Sequence, residues 1–152
     1  RGTSTIRYLA PSPAFSAAHA LRFVGPPPVT EPLHGHDWHV TACIAGEALD
    51  ADGLLVDFHA VEAALRAIVQ PFHNRTLNDV PPFDRTNPSA EHVARHIAQQ
   101  LQVWLETRTS PRPKTLSGIS GVSGTLPPVA DLRVAWVRTT EAIGCAATYR
   151  PT

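Results

Sequence analysis

At 152 residues with 43% hydrophobic composition, the chain is long enough to bury one sizeable core and too short for two. Thirteen Lys plus Arg balance thirteen Asp plus Glu, so no net field favours nucleic acid or an anionic membrane, and a small-molecule ligand is expected instead. No apolar run reaches the roughly 20 residues of a membrane-spanning helix, and RGTSTIRYLA lacks the basic-then-apolar pattern of a secretory signal, so a soluble, cytoplasmic protein is expected.

Arg1 to Ser4 are expected to be the remnant of a cleaved tag, which leaves a single domain over 5–152. The two cysteines, Cys43 and Cys145, stand in apolar stretches and are expected to be buried, reduced thiols. TIRYLAPSPAFSAAHALRF reads as extended chain broken at Pro11 and Pro13, because proline removes a ladder donor. VGPPPVTEPL is a proline-dense loop. It leads to HGHDWHVTACIAGE, where Trp38, Val40, Ala42 and Ile44 alternate with His39, Thr41 and Cys43 as in a strand. LLVDF is expected to be a short strand whose Asp57 caps a helix from Phe58 to Gln70, with Phe58, Val61, Leu65 and Ile68 facing inward and Pro71 ending it.

A second helix is expected after Asn87 as cap and Pro88 as first residue, running to about Leu105 with Val93, Ile97, Leu101 and Trp104 inward. Residues 107–130, rich in Ser, Gly, Pro and Thr and without periodicity, read as a long variable loop. DLRVAWVRTTEAIGCAATYR then supplies a strand hairpin. Strands, two helices and strands in that order predict an α+β domain, with both helices on one face of an antiparallel sheet.

EPLHGHDWHV concentrates the chemistry. On a strand His34 and His36 share a face, while His39, at an odd offset, points away. A third ligand must come from elsewhere, and His19 lies on an extended segment able to pair with this one. Three imidazoles with an open position form a catalytic zinc site; the alternative is a solvated strand. His92 and His96 are four apart on a helix, but Val93 follows His92 where the zinc-peptidase motif has glutamate. His39 and His59 read as ordinary half-buried histidines. There is no GxSxG, phosphate-binding glycine loop or CxxC.

In order, FSAAHAL, LHGHDWHV, GLLVDFHAVEAAL, TLND, NPSAEHVARHIAQQL and TEAIGCAATYR resemble the 6-pyruvoyl-tetrahydropterin synthase and 6-carboxytetrahydropterin synthase family over nearly the whole chain. The resemblance implies a T-fold subunit with a four-stranded antiparallel sheet. Three subunits would close into a β-barrel, and two barrels would stack as a homohexamer with active sites at subunit interfaces. It implies Zn2+ on His19, His34 and His36. Most of the family places a cysteine base four residues before the first histidine of HGH, where this chain has Thr30. One branch has glutamate three residues before it, as ExxHGH, and Glu31 of EPLHGH matches. That branch resembles an enzyme converting 7,8-dihydroneopterin triphosphate to 6-hydroxymethyl-7,8-dihydropterin.

The family's Asp-His pair, contributed by a neighbouring subunit, aligns with His73 and Asn74. His73 can still act as acid or base, whereas Asn74 cannot. The glutamate that anchors the pterin ring eight residues before a tyrosine matches Glu141 and Tyr149, and a second register puts Thr139 there instead. The expected activity is therefore a zinc-dependent lyase performing retro-aldol or elimination chemistry on a dihydropterin side chain. Zinc would be its Lewis acid and Glu31 its base. The alternatives are a family member recruited to secondary metabolism with a non-pterin substrate, and a non-catalytic binding oligomer, against which the three ligands and Glu31 argue.

Overall fold

The computed structural model describes residues 5–11, 14–109 and 132–152. In chain order its elements are strands β1 (Ile6–Pro11), β2 (Phe15–His19), β3 (Arg22–Phe23), β4 (Val29–Thr30) and β5 (His34–Gly46), helix α1 (Phe58–Val69), strand β6 (Arg75–Thr76), helix α2 (Ala90–Thr109), and strands β7 (Arg133–Ala142) and β8 (Cys145–Tyr149). The α+β class expected from the element order is the one observed, and the sheet is built around β5.

β1 and β2 lie one after the other along the same edge of β5, both antiparallel, with Pro11 opposite Thr41 and Phe15 opposite Trp38. The edge along β5 is thus two strands and not one, and β1 ends at Pro11, which has no ladder donor to offer. β7 pairs with the other edge of β5, and β8 folds back on β7 through Ile143 and Gly144, whose φ of 80° is the left-handed conformation a tight turn takes most easily with glycine. With β1 and β2 sharing one edge, these five strands form an antiparallel arrangement four strands wide, within a six-stranded sheet. Two additions were not foreseen: β6 joins the β2 edge by a short parallel pairing, and β3 and β4 make a separate two-stranded ribbon.

Trp38, Val40, Ala42 and Ile44 are all buried on one face of β5, under both helices. Asp57 caps α1 by accepting the amides of His59 and Ala60. The buried stripe of α1 is Val61, Ala64, Leu65 and Val69, which leaves Phe58 45% exposed and tilted against the His59 ring rather than facing inward. LLVDF forms no strand. The Asp50 carboxylate accepts the amides of Asp52 and Leu54, so the chain turns there instead of offering those donors to a ladder.

α2 begins two residues later than expected. Ser89 accepts the His92 amide on its hydroxyl, while the Asn87 side chain is committed to Arg22. The helix continues to Thr109, so 107–109 are helical and not loop; the remainder of the expected loop lies outside the described residues, as do 1–4. Cys43 is fully buried but Cys145, at the end of the sheet, is exposed, and both are free thiols. His39 and His59 are exposed rather than half-buried. His92 turns its Nδ1 to the Asn87 carbonyl, and His96 packs against Phe72 and Phe83. No helix among the described residues is long and apolar enough to cross a membrane.

Candidate metal centre

The register of β2 against β5 sets His19 directly opposite His34, with His36 two residues further along the same face. The ligand nitrogens of these three histidines lie within 4.8 Å of one another. Two of the rings are oriented by backbone carbonyls. His19 Nδ1 lies 2.7 Å from the Pro88 carbonyl oxygen, and His34 Nδ1 lies 2.9 Å from that of Pro32. A carbonyl only accepts, so each ring carries its hydrogen on Nδ1 and keeps the Nε2 lone pair free, the arrangement that metal-ligating histidines adopt.

His19 Nε2 is buried and has no hydrogen-bond partner. An orphaned acceptor in a core calls for an explanation, and a metal ion on the lone pair supplies one. His36 is held below the ordinary histidine range, chiefly by burial; Glu141 opposes that shift, while His19 and His34 reinforce it. A neutral imidazole is the form that ligates. The three rings fit a metal ion, to which they would offer three neutral nitrogen donors.

Two carboxylates flank the triad. Glu31 follows β4 and exchanges two hydrogen bonds with Leu21: its backbone amide donates to the Leu21 carbonyl at 3.0 Å, and its Oε1 accepts the Leu21 amide at 2.8 Å. This places Oε1 3.8 Å from His34 Nδ1. Glu141, on β7, brings Oε2 to 3.7 Å from His19 Nε2, and that oxygen is likewise buried without a partner. Thr139, the alternative anchor, is fully buried and donates its hydroxyl to the Ala90 carbonyl, at the contact between β7 and the start of α2.

His73 is not gathered with the triad within one chain. It sits beyond the β2 edge, where its Nδ1 accepts the Ser16 amide at 3.3 Å; Asn74 follows with φ 56° and donates its amide to the Ser16 carbonyl. Ser16 in turn bonds Asp37, and both belong to the sheet face opposite the histidines. The carbonyls of Pro32 and Pro88 and the amide of Leu21 were invisible in the sequence, since backbone groups carry no residue-type signal.

A family model described as 6-pyruvoyl tetrahydropterin synthase matches residues 9–117. The 6-carboxy-5,6,7,8-tetrahydropterin synthase of Bacillus subtilis (strain 168) is 34% identical over 80 residues, 49% of this chain and 52% of that protein, so the chain spans about half the length of the curated relative it matches. The 6-pyruvoyl tetrahydropterin synthase structures from Plasmodium vivax (TM-score 0.66, 18% identity, 98% of this chain and 99% of that one) and Caenorhabditis elegans (TM-score 0.63, 19% identity, 98% and 96%) share the fold. The Plasmodium vivax protein has also been solved with a glutamate, described as a catalytic residue, replaced by alanine (TM-score 0.63, 17% identity, 98% and 99%).

Proposed function

The chain belongs to the 6-pyruvoyl tetrahydropterin synthase family, and on that premise we propose that it is a zinc-dependent lyase acting on the side chain of a dihydropterin of the 7,8-dihydroneopterin triphosphate type. The observation that carries this reading is the buried, partnerless His19 Nε2 beside His34 and His36, with Glu31 at the rim. His19, His34 and His36 would hold the zinc, which when bound supplies Lewis acidity to the oxygens of the substrate side chain.

Glu31 takes the proton of the side-chain hydroxyl two carbons from the ring. The bond between the two carbinol carbons breaks, its electrons pass into the ring imine, the far fragment leaves as an aldehyde, and a proton returns to the carbon next to the ring. Glutamate is also the residue type described as catalytic in the Plasmodium vivax relative. Glu141 accepts the amino and imino hydrogens of the pterin through charge-assisted bonds, which fixes the ring relative to the base.

His73 is the candidate acid, presented by a neighbouring copy, because within its own chain it lies away from the triad. That requires assembly, and a homohexamer of two closed barrels would also cover the open outer edges of β1 and β8. Two free thiols suit a cytoplasmic setting. The His73–Asn74 sequence supports a second reading, the same zinc centre recruited to aldol, dehydration or cyclisation chemistry on a non-pterin metabolite. Incubating zinc-loaded protein with 7,8-dihydroneopterin triphosphate and identifying products by mass spectrometry separates the two. 6-Hydroxymethyl-7,8-dihydropterin is expected; no turnover of any dihydropterin sinks the first reading.

A further inference from the structure

The segment between His19 and Glu31 is held by side chains that imitate missing strands. Asn78 accepts the Ala20 amide on Oδ1 at 2.9 Å and donates Nδ2 to the Ala20 carbonyl at 2.8 Å. Asn87 does the same to Arg22, at 2.8 and 3.2 Å. An asparagine carries one acceptor and a donor pair on a short arm, so each reproduces the hydrogen bonds of a neighbouring strand at a single residue. In extended chain the backbone groups of residue 21 point opposite to those of 20 and 22. The two asparagines therefore turn the Leu21 amide outward, to Glu31 Oε1 at 2.8 Å, and the Leu21 carbonyl to the Glu31 amide.

The loop that carries both asparagines is itself tied down. The Arg22 guanidinium donates to the carbonyls of Phe83 and Thr86 at 2.7 and 3.0 Å, and to that of Asp84 at 3.2 Å. The same loop ends at Pro88, whose carbonyl orients His19. The loop thus orients His19 directly through the Pro88 carbonyl, and Glu31 through the 20–22 segment that its two asparagines hold.

We propose that Asn78 and Asn87 are positioning residues for Glu31. By clamping Ala20 and Arg22 they present the Leu21 amide to Oε1, which stops rotation of the carboxylate and leaves Oε2 as the oxygen that takes the proton. This rests on the reading of Glu31 as the base. A glutamate free to rotate would spend most of its time in unproductive geometries, and orientation of this kind is a recognised share of catalysis.

The test is a double-mutant cycle on zinc-loaded protein with 7,8-dihydroneopterin triphosphate, joined to residue-resolved hydrogen exchange. Glu31→Gln keeps an oxygen for the Leu21 amide and loses the base. Asn78→Ala is expected to lower kcat about 10- to 100-fold, the usual effect of losing an outer-shell partner, with KM and zinc content little changed. In the Glu31→Gln background the same change is expected to cost less than about twofold, because there is no base left to position. The Leu21 amide is expected to exchange slowly in the wild type and in Glu31→Gln, and fast in Asn78→Ala.

Equal fold losses in both backgrounds, a loss that follows zinc content, or a Leu21 amide still protected in Asn78→Ala would overturn the inference while leaving the base reading intact. Full turnover by Glu31→Gln, or no wild-type turnover of a dihydropterin, sinks the base reading and this inference with it. Where Asn78→Ala does not assemble, Asn87→Ala releases the other side of Leu21 and carries the same comparison.

Discussion

His19 and Glu141 face each other across 3.7 Å, with ring Nε2 and carboxylate Oε2 both buried and both without a hydrogen-bond partner. That separation is too long for a hydrogen bond, and each unsatisfied buried group costs about 1–3 kcal/mol. Two orphans side by side are explained together if each serves a different guest: the nitrogen a metal ion, the oxygen an N–H of the substrate.

Elemental analysis of protein purified without chelator should give about one zinc per chain, with zinc–nitrogen distances of about 2.0–2.1 Å by X-ray absorption. His34→Ala combined with His36→Ala removes two of the three donors. Stoichiometric zinc retained by that double variant would refute the assignment.

Glu31→Gln preserves shape and the Leu21 contact while removing the base. Zinc content, assembly and ligand affinity should stay near wild type, and turnover should fall by about 10² to 10⁴, the usual share of a general base. A variant with undiminished turnover would leave His73 of a neighbouring copy as the next candidate.

Glu141→Gln exchanges a charged acceptor for a neutral one. Pterin binding, measured by calorimetry, should weaken by about 1.5–3 kcal/mol, the range for hydrogen bonds to charged groups. Unchanged affinity would mean that Oε2 does not hold the ring.

Burial against Phe72 and Phe83 holds the His96 imidazole below its ordinary range. The unfolded chain then binds a proton that the folded chain still refuses, so this contribution is fully present above about pH 6.5 and is lost as the pH falls through the lower folded value. In chelator-treated protein, the acid-side fall of Tm should be shallower for His96→Phe than for the wild type. Parallel curves would show that His96 does not contribute.

Light scattering should give a multiple of three chains, most simply six. A monomer at micromolar concentration would remove the neighbouring copy from which His73 is to act.

Much of this was legible because it follows from period and offset. His34 and His36 share a face by strand geometry, and Asp57 caps α1 because a carboxylate before an amphipathic stripe has the amides of the first turn within reach. What escaped was decided by partners far away in sequence. Asn87 looked like a helix cap and was taken by Arg22, 65 residues earlier. Phe58 kept the apolar spacing, but the stripe that closed the core was completed by Ala64 and Val69. Thr139 and Glu141 share a strand face by offset, and nothing in the sequence says that the threonine hydroxyl meets the Ala90 carbonyl at the start of α2.

The division of one edge strand into β1 and β2 has an effect on which sequence changes the centre can survive. Were β1 and β2 continuous, a residue gained or lost anywhere along them would slip the whole edge, and a slip of one turns His19 to the wrong side of the sheet. With the ladder interrupted after Pro11, β2 keeps its own alignment to β5 whatever β1 does. A residue gained or lost within β1 should therefore leave His19 opposite His34, which insulates the histidine triad from drift at the amino-terminal end.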